Sequence, residues 1–295
     1  MAIQWHPAFY AGMELEFKSF PVDFEKEYEL TRGPLAIDLL IIKKLTDEKI
    51  DNEIGNIFRR YNIMEMKSPD DELSIDVFYK VYAYACLYKC SGETVDEISA
   101  QEITVSLYRD KYPRKLISNL NATGFTVRKE YPGIYYVAGN TLFPTQIIVS
   151  GELNPSHHSA LRILTNKARK EDIITFAKTA SMFTDQGDLE RADSILQVST
   201  TANKELYEKI YKEDETMCQA LMDIMKDDID KKVNQGMQQG MQQGMQQGMQ
   251  QGSYQARKEA LKSLMENLHF TPVQAMDALS IPADDRPEYL KYLSQ

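Results

Sequence analysis

The chain contains 295 residues, 43% hydrophobic and 26% charged, which is ordinary for a soluble globular protein. Its net charge of −10 argues against non-specific binding of nucleic acid over the whole surface, but it leaves room for a local basic patch. No apolar run approaches the roughly 18 residues of a membrane span. The first residues lack a signal-peptide pattern, and the three cysteines form no even framework and no CxxC motif. We therefore expect a cytoplasmic protein without a membrane partner.

The first 154 residues mix helical and strand patterns, which predicts an α/β (α+β) domain. The predicted helices cover 6–20 and 74–90. The predicted strands cover 24–30, 35–42, 62–69, 102–108, 127–137 and 143–149. A Gly-Pro turn at 32–34 joins the first two strands as a hairpin.

The rest of the chain has a helical texture and divides into three parts. Residues 155–233 form a helical region, with helices over 158–167, 170–183, 189–198 and 202 to about 233. Residues 234–253 are a low-complexity segment. Residues 254–295 form a C-terminal tail, with helices over 255–267, 272–279 and 287–293.

The low-complexity segment repeats Gly-Met-Gln-Gln four times and closes on Gly252. A period of four residues advances each Met by about 40° on a helix, so the four Met side chains form a slowly winding apolar stripe. The five glycines, at about 1 kcal/mol each, make it a poor helix in isolation. Two interpretations compete, a frayed linker and a helix that forms by pairing with a copy of itself. The repeated Met side chains favour self-association, and therefore a homo-oligomer.

Two apolar strands of the first domain carry acids where apolar residues are expected. Asp38 interrupts the run 35–42, and Glu65 interrupts the run 62–69. Lys67 lies two residues after Glu65, so strand alternation places their side chains on one face. Buried ionisable groups are costly unless they pair or bind a metal, which predicts a functional site. Two neighbouring carboxylates suit Mg²⁺ or Mn²⁺, since both cations prefer oxygen ligands.

The first helix supplies a further carboxylate with two interpretations. On a wheel of 100° per residue, Glu16 falls on the apolar face with Phe9 and Met13, whereas Glu14 lies to one side. An inward-facing carboxylate at this position indicates a member of a site. A glutamate at the rim of the helix explains the pattern equally well.

Basic residues are concentrated near the predicted strand 102–108. Four of the seven residues 109–115 are basic, namely Arg109, Lys111, Arg114 and Lys115. Such a cluster suits a phosphate backbone, although a solvated loop-to-helix junction has the same composition. Lys80, on the predicted helix 74–90, is a further basic neighbour of the site.

His157 and His158 offer nitrogen ligands, but the sequence disfavours a metal site there. Adjacent residues point in different directions on a helix. No Cys, Asp or Glu accompanies the pair at the spacing of a zinc motif.

The residues resemble the signature of a known superfamily. Asp38 followed by Glu65-Met66-Lys67 is similar to the D…(D/E)xK motif of PD-(D/E)XK nucleases, and the predicted element order resembles their restriction-endonuclease-like αβββαβ core. The resemblance is closest to a bacterial branch described as recombination-promoting nucleases or putative transposases. It rests on 61–71, on 78–89 and on the Gln/Gly-rich repeat, and it covers residues 1 to about 150. One departure is that Ile37, rather than proline, precedes Asp38.

The resemblance implies a Mg²⁺-dependent (or Mn²⁺-dependent) DNA endonuclease associated with mobile DNA or recombination. It implies that Asp38, Glu65 and the Met66 carbonyl bind the metal and that Lys67 is the catalytic lysine. The first-helix glutamate that such nucleases often add corresponds to Glu16 or Glu14. The alternative is a catalytically inactive protein of this fold, acting as an oligomeric interaction or DNA-binding module. The sequence does not separate DNA from RNA as substrate.

Overall fold

The structure, a computed structural model, describes residues 3–26, 39–213 and 226–293, so Asp38 and the strand residues predicted over 27–30 and 35–38 lie outside the described residues. The elements in chain order are α1 (Trp5–Phe17), β1 (Val22–Lys26), β2 (Leu39–Lys44), β3 (Tyr61–Met66), α2 (Ile75–Lys89), β4 (Ile103–Arg109), α3 (Arg114–Ala122), β5 (Thr126–Tyr131), β6 (Ile134–Ala138), β7 (Thr145–Val149), α4 (Ser159–Arg162), α5 (Lys170–Ala180), α6 (Gln186–Ala202), α7 (Lys204–Glu213), α8 (Lys226–Leu268), α9 (Pro272–Ala278) and α10 (Arg286–Leu293).

The strands form one mixed sheet in the order β1-β2-β3-β4-β7-β6-β5. β1 and β2 pair as the predicted antiparallel hairpin, and β2 also runs antiparallel to β3. β3, β4 and β7 are parallel, so their carboxyl ends meet at one edge of the sheet. The predicted mixed α/β class is confirmed.

Strand alternation divides the core into two layers on opposite faces of the sheet. Leu40 and Met64 face the layer that contains α1 and the helices α4–α7. Ile41 and Ile63 face the layer that contains α2 and α3. β3 is therefore covered on both faces, and its residues from Asn62 to Met66 are buried. This continuous burial is typical of parallel strands with helices on both sides.

Three predicted elements differ from the structure. The strand predicted over 127–137 is two strands, β5 and β6, because the chain turns at Pro132 and at Gly133, where φ is +73°. The helix predicted over 158–167 is limited to α4, since the chain beyond it forms other contacts, such as Ala168 N–H donating to Asn203 Oδ1 at 3.0 Å. The helix predicted from 202 to about 233 corresponds to α7 and the start of α8, and residues 214–225 lie outside the described residues.

The chain divides into two compact units, Met1–Lys226 and Asp227–Gln295. In the first unit, α4–α7 share a core with α1 and the sheet. In the second unit, α8 packs with the two short helices around a small core. This core consists of Leu261, Ala275, Met276, Ile281 and Tyr289. None of the described helices has the length and apolar character that crossing a membrane requires.

We expect Gly133→Ala to lower the free energy of unfolding more than Gly124→Ala, as measured by urea denaturation. Both glycines have positive φ, +73° and +89°, so an alanine costs about 1–2 kcal/mol at either position. A Cβ on Gly133 also lies 2.6 Å from Leu153 N and 2.7 Å from Val149 O, whereas Gly124 has nothing within 4 Å. The crowding adds about 1–3 kcal/mol at Gly133. Equal losses would contradict the packing of this turn.

Candidate functional site

The end of β3 brings two of the predicted site residues together. The Glu65 side chain is 3% exposed, and Lys67 Nζ lies 2.6 Å from its Oε1. Lys67 follows the last residue of β3, but its N–H donates to the Tyr108 carbonyl at 3.0 Å and so continues the pairing with β4. The predicted common face of Glu65 and Lys67 is therefore confirmed by a direct ion pair. The Lys67 side chain is 21% exposed, so the pair reaches solvent through its lysine.

Arg109, the last residue of β4, joins this pair on the same face of the sheet. Glu65 is in register with Leu107, and the Lys67 hydrogen bond to Tyr108 places Lys67 level with Arg109. Adjacent strands are about 4.8 Å apart, so Lys67 and Arg109 are neighbours. Arg109 Nε is buried and has no hydrogen-bond partner among the described residues. A buried guanidinium donor without a partner is costly, which indicates a group prepared to bind an acceptor.

The oxygen donors at this strand end fit a hard divalent cation. Glu65 contributes a buried carboxylate, and the ion pair with Lys67 occupies only its Oε1. The backbone of Met66 offers a carbonyl at the same strand end. Asp38 lies outside the described residues, but its chain neighbour Leu39 is in register with Glu65. Carboxylate and carbonyl oxygens without nitrogen or sulfur match the preference of Mg²⁺ and Mn²⁺.

The other predicted nucleic-acid-binding residues lie at exposed positions. Lys111 Nζ lies 3.6 Å from Asp110 Oδ2 in the loop after β4. Arg114 is the first residue of α3, and the next residue, Lys115, pairs with Glu72 at 3.1 Å. Lys80 lies on α2, with its Nζ 5.3 Å from the centre of the Tyr84 ring. The predicted loop-to-helix junction is thus present, and its cations are available at the surface.

The two candidate glutamates of α1 have separate partners. Glu14 forms ion pairs with Lys26 at 2.6 Å and with Arg191 at 2.8 Å, which link α1 to β1 and α6. These two cations outweigh partial burial and lower the pKa of the Glu14 carboxyl. Glu16 instead accepts from Asn52 Nδ2 at 3.3 Å and contacts His158 Nδ1 at 2.8 Å. α1 packs on the face of the sheet opposite to Glu65, so the described contacts of Glu16 do not join it to the Glu65–Lys67 pair.

Glu16 belongs to a second polar cluster, which we call the His–Glu cluster and which consists of Glu16, Glu53, His157 and His158. His158 Nε2 lies 3.0 Å from Glu53 Oε2, and His157 Nδ1 lies 2.8 Å from Glu53 Oε1. Burial opposes charge on His158, but the hydrogen bonds and negative charges of Glu16 and Glu53 outweigh it and raise the pKa of His158. Burial also opposes charge on Glu53, but its hydrogen bond with His157, a backbone hydrogen bond and the nearby imidazoles outweigh burial and lower the pKa of Glu53.

The sequence alone does not reveal this cluster, because it disfavours a metal site at His157 and His158 and points to no partner for them. Glu53 lies in a polar connection between β2 and β3, more than 100 residues from the histidines, and no local spacing joins them. The two histidines also precede α4, rather than lying on a helix, which lets both rings face Glu53. The two rings are therefore not forced apart as they would be at adjacent positions of a helix.

Comparisons with known proteins add nothing to this geometry. The chain matches no protein-family model, no curated protein and no solved structure. The assignment of a function therefore depends on the residues themselves.

We expect Lys67→Met to lower the free energy of unfolding by about 2–4 kcal/mol in EDTA, because it leaves Glu65 buried without its cation. Adding Glu65→Gln should restore most of this loss, since the double variant has no unpaired charge. The control variant is Lys43→Met, which breaks the half-exposed ion pair of Lys43 with Glu25 at 2.5 Å. It should lower the free energy of unfolding by less than about 1 kcal/mol. A Lys67→Met loss no larger than that of Lys43→Met, measured by urea denaturation, would refute the buried pair.

Proposed function

We propose that the protein is a Mg²⁺-dependent DNA endonuclease that hydrolyses phosphodiester bonds at the end of β3. The observation that carries the proposal is the buried Glu65 carboxylate paired with Lys67, two residues further on, at the carboxyl edge of parallel strands. Ligands of open α/β sheets bind outside this edge. Mn²⁺ satisfies the same oxygen donors.

The order of elements supports the finer fold assignment. α1, β1, β2, β3, α2 and β4 follow each other in the sequence αβββαβ, with α2 as the crossover between the parallel strands β3 and β4. This is the order of the restriction-endonuclease-like core that the Asp38, Glu65 and Lys67 pattern resembles. We therefore propose this core for the first unit, with a role in mobile DNA or recombination as the resemblance implies.

Asp38, Glu65 and the Met66 carbonyl are the groups proposed to hold the cation. When bound, Mg²⁺ supplies Lewis-acid polarisation of a phosphate and a more acidic water. The burial of Glu65 keeps its carboxylate away from bulk water, so a cation there acts in a medium of low dielectric constant.

The two cations at the strand end have distinct tasks in this mechanism. Lys67, held by Glu65 and 21% exposed, presents an ammonium that orients the attacking water or stabilises charge on the phosphate. Arg109 Nε, buried without a described partner, donates to a phosphate oxygen. Lys111, Arg114, Lys115 and Lys80 bind the flanking backbone, where each contact releases counterions and adds affinity that falls with salt.

We expect Lys67→Ala to reduce cleavage of supercoiled DNA in Mg²⁺ by about 100-fold or more, the usual cost of removing a group that stabilises transition-state charge. Glu65→Gln and Asp38→Ala should abolish cleavage, and EDTA should do the same to the unaltered protein. Lys43→Ala, which breaks a Lys–Glu pair elsewhere on the same sheet, should retain activity within about twofold.

Two results would overturn the enzyme assignment. One is the absence of cleavage on supercoiled and linear DNA with either Mg²⁺ or Mn²⁺. The other is cleavage that survives Lys67→Ala and Glu65→Gln unchanged. DNA binding that persists without any cleavage would favour the alternative, an inactive protein of this fold that acts as a DNA-binding or oligomeric interaction module.

The Met stripe of α8 supports self-association as part of the proposed function. The repeat lies within a continuous helix of 43 residues, and Met237, Met241, Met245 and Met249 are 61–75% exposed on it. The glycines at 240, 244, 248 and 252 leave open space beside the stripe. A helix rich in glycine gains stability by burying its apolar stripe, and an identical stripe on a second copy is complementary to it. We infer a homo-oligomer formed through α8.

We expect Met241→Gln/Met245→Gln to weaken this assembly at least tenfold in light scattering coupled to size-exclusion chromatography. Each Met that is buried between copies contributes about 1.5–3 kcal/mol, and every dimer loses four of them. Gln242→Ala/Gln246→Ala changes the same turns beside the stripe and should leave the assembly intact. An assembly state that is equal in both variants would refute pairing through the Met side chains.

A further inference from the structure

The His–Glu cluster is unused by the proposed nuclease site and has the composition of a metal site. The side-chain donors of Glu53, His157 and His158 all lie within 4.8 Å of one another. Two imidazole nitrogens with one carboxylate are a ligand set of catalytic zinc sites, in which a fourth position stays open. Ligands at zinc bond lengths of 2.0–2.1 Å in tetrahedral geometry are about 3.3 Å apart. The observed 2.8 and 3.0 Å contacts therefore need only small side-chain movements.

A buried glutamate, Glu16, holds the His158 ring in place. The His158 side chain is 1% exposed, and its Nδ1 lies 2.8 Å from Glu16 Oε2, so Nε2 is the nitrogen that faces Glu53. Asn52 Nδ2 donates to the same Glu16 oxygen at 3.3 Å. Metal-binding histidines almost always donate their other ring N–H to a carboxylate or carbonyl, which fixes the ring and its tautomer. Glu16, 5% exposed, holds His158 in this manner.

The loop 52–55 contains both the candidate ligand Glu53 and Asn52, which contacts Glu16. Asn52 Oδ1 accepts from Ile54 N at 2.9 Å and from Gly55 N at 3.3 Å, which closes the backbone around Glu53. Glu53 is then pointed at both histidines. Because His157 is 56% exposed, the open side of the cluster is reachable from solvent.

We propose that Glu53, His157 and His158 bind a Zn²⁺-type transition-metal ion, with Glu16 positioning His158 and with water at the remaining position. The nitrogen donors distinguish this site from the oxygen donors at Asp38 and Glu65, since imidazole suits zinc and its neighbours whereas Mg²⁺ prefers oxygen. The nitrogen and oxygen atoms that bind the ion have to be free of protons. Protons compete with the ion for these atoms, so binding is weaker at low pH.

The test measures Zn²⁺ binding to the full-length, EDTA-stripped protein by isothermal titration calorimetry and by metal content after dialysis. The background carries Cys86→Ser and Cys90→Ser, because these exposed thiols, in the last turn of α2 and at the residue that follows it, are themselves zinc-ligand types four residues apart. We expect one ion per chain. Co²⁺ in its place should give the visible d–d bands of a low-coordinate site with nitrogen and oxygen ligands.

Variants assign the ion to its ligands. His157→Ala, at an exposed position that tolerates substitution, and Glu53→Gln should each lower the affinity for Zn²⁺ about 100-fold or more. Glu16→Gln should lower it about 10- to 100-fold, the usual effect of losing a supporting carboxylate. His269→Ala in the second unit is the matched control for loss of an exposed histidine, and Glu65→Gln is the control for the nuclease site. Both should retain the ion.

The Zn²⁺-binding experiment tests the metal site independently of whether the protein is a nuclease. Absence of stoichiometric Zn²⁺, an affinity unchanged by His157→Ala and Glu53→Gln, or loss of the ion in Glu65→Gln would each overturn the proposal. Retention of Zn²⁺ in Glu65→Gln together with its loss in His157→Ala supports it, whether or not the protein cleaves DNA.

Discussion

The double burial of β3 is the constraint on which both the fold and the candidate site depend. Met64 and Met66 pack under α1, and Ile63 packs under α2, so every position of the strand beyond its first residue is removed from water. Glu65 shares this burial, and its charge is accommodated because Lys67 returns from the strand end to contact it. A strand with one exposed face would leave the same carboxylate in water, where it would interact weakly with any cation.

On the opposite face of the sheet, α1 is held by polar contacts as well as by apolar packing. α1 is joined to the sheet by apolar packing, to β1 and α6 through Glu14, and to the start of α4 through Glu16 and His158. The His–Glu cluster therefore connects three segments that are far apart in the chain. Burying such polar groups is costly unless they are paired, and here each described carboxylate and imidazole has a hydrogen-bond partner. A bound cation would hold Glu53 and the two histidines together in the same way as these hydrogen bonds.

Sequence reasoning predicted the elements with strong local patterns and missed those decided by partners. The alternation around Glu65 and the helical pattern of α2 are local, and both were found. The break between β5 and β6 was missed, because the apolar and aromatic residues on both sides of Gly133 continue one strand pattern. The wheel of α1 correctly separated Glu14 from Glu16 but could not tell what each would contact. Arg109 was noticed as part of a basic cluster, yet its position level with Lys67 required the register of β3 and β4.

By itself, the sequence determined the mixed α/β class, the common face of Glu65 and Lys67, and the Met stripe of the repeat. Each of these follows from a short period along the chain, such as the two-residue period of a strand or the four-residue period of the Met repeat. Only the tertiary structure decided that Glu16 and Glu65 lie on opposite faces of one sheet and that Glu53 meets the two histidines. Contacts between residues more than 100 positions apart arise from how layers stack. No local period encodes that stacking.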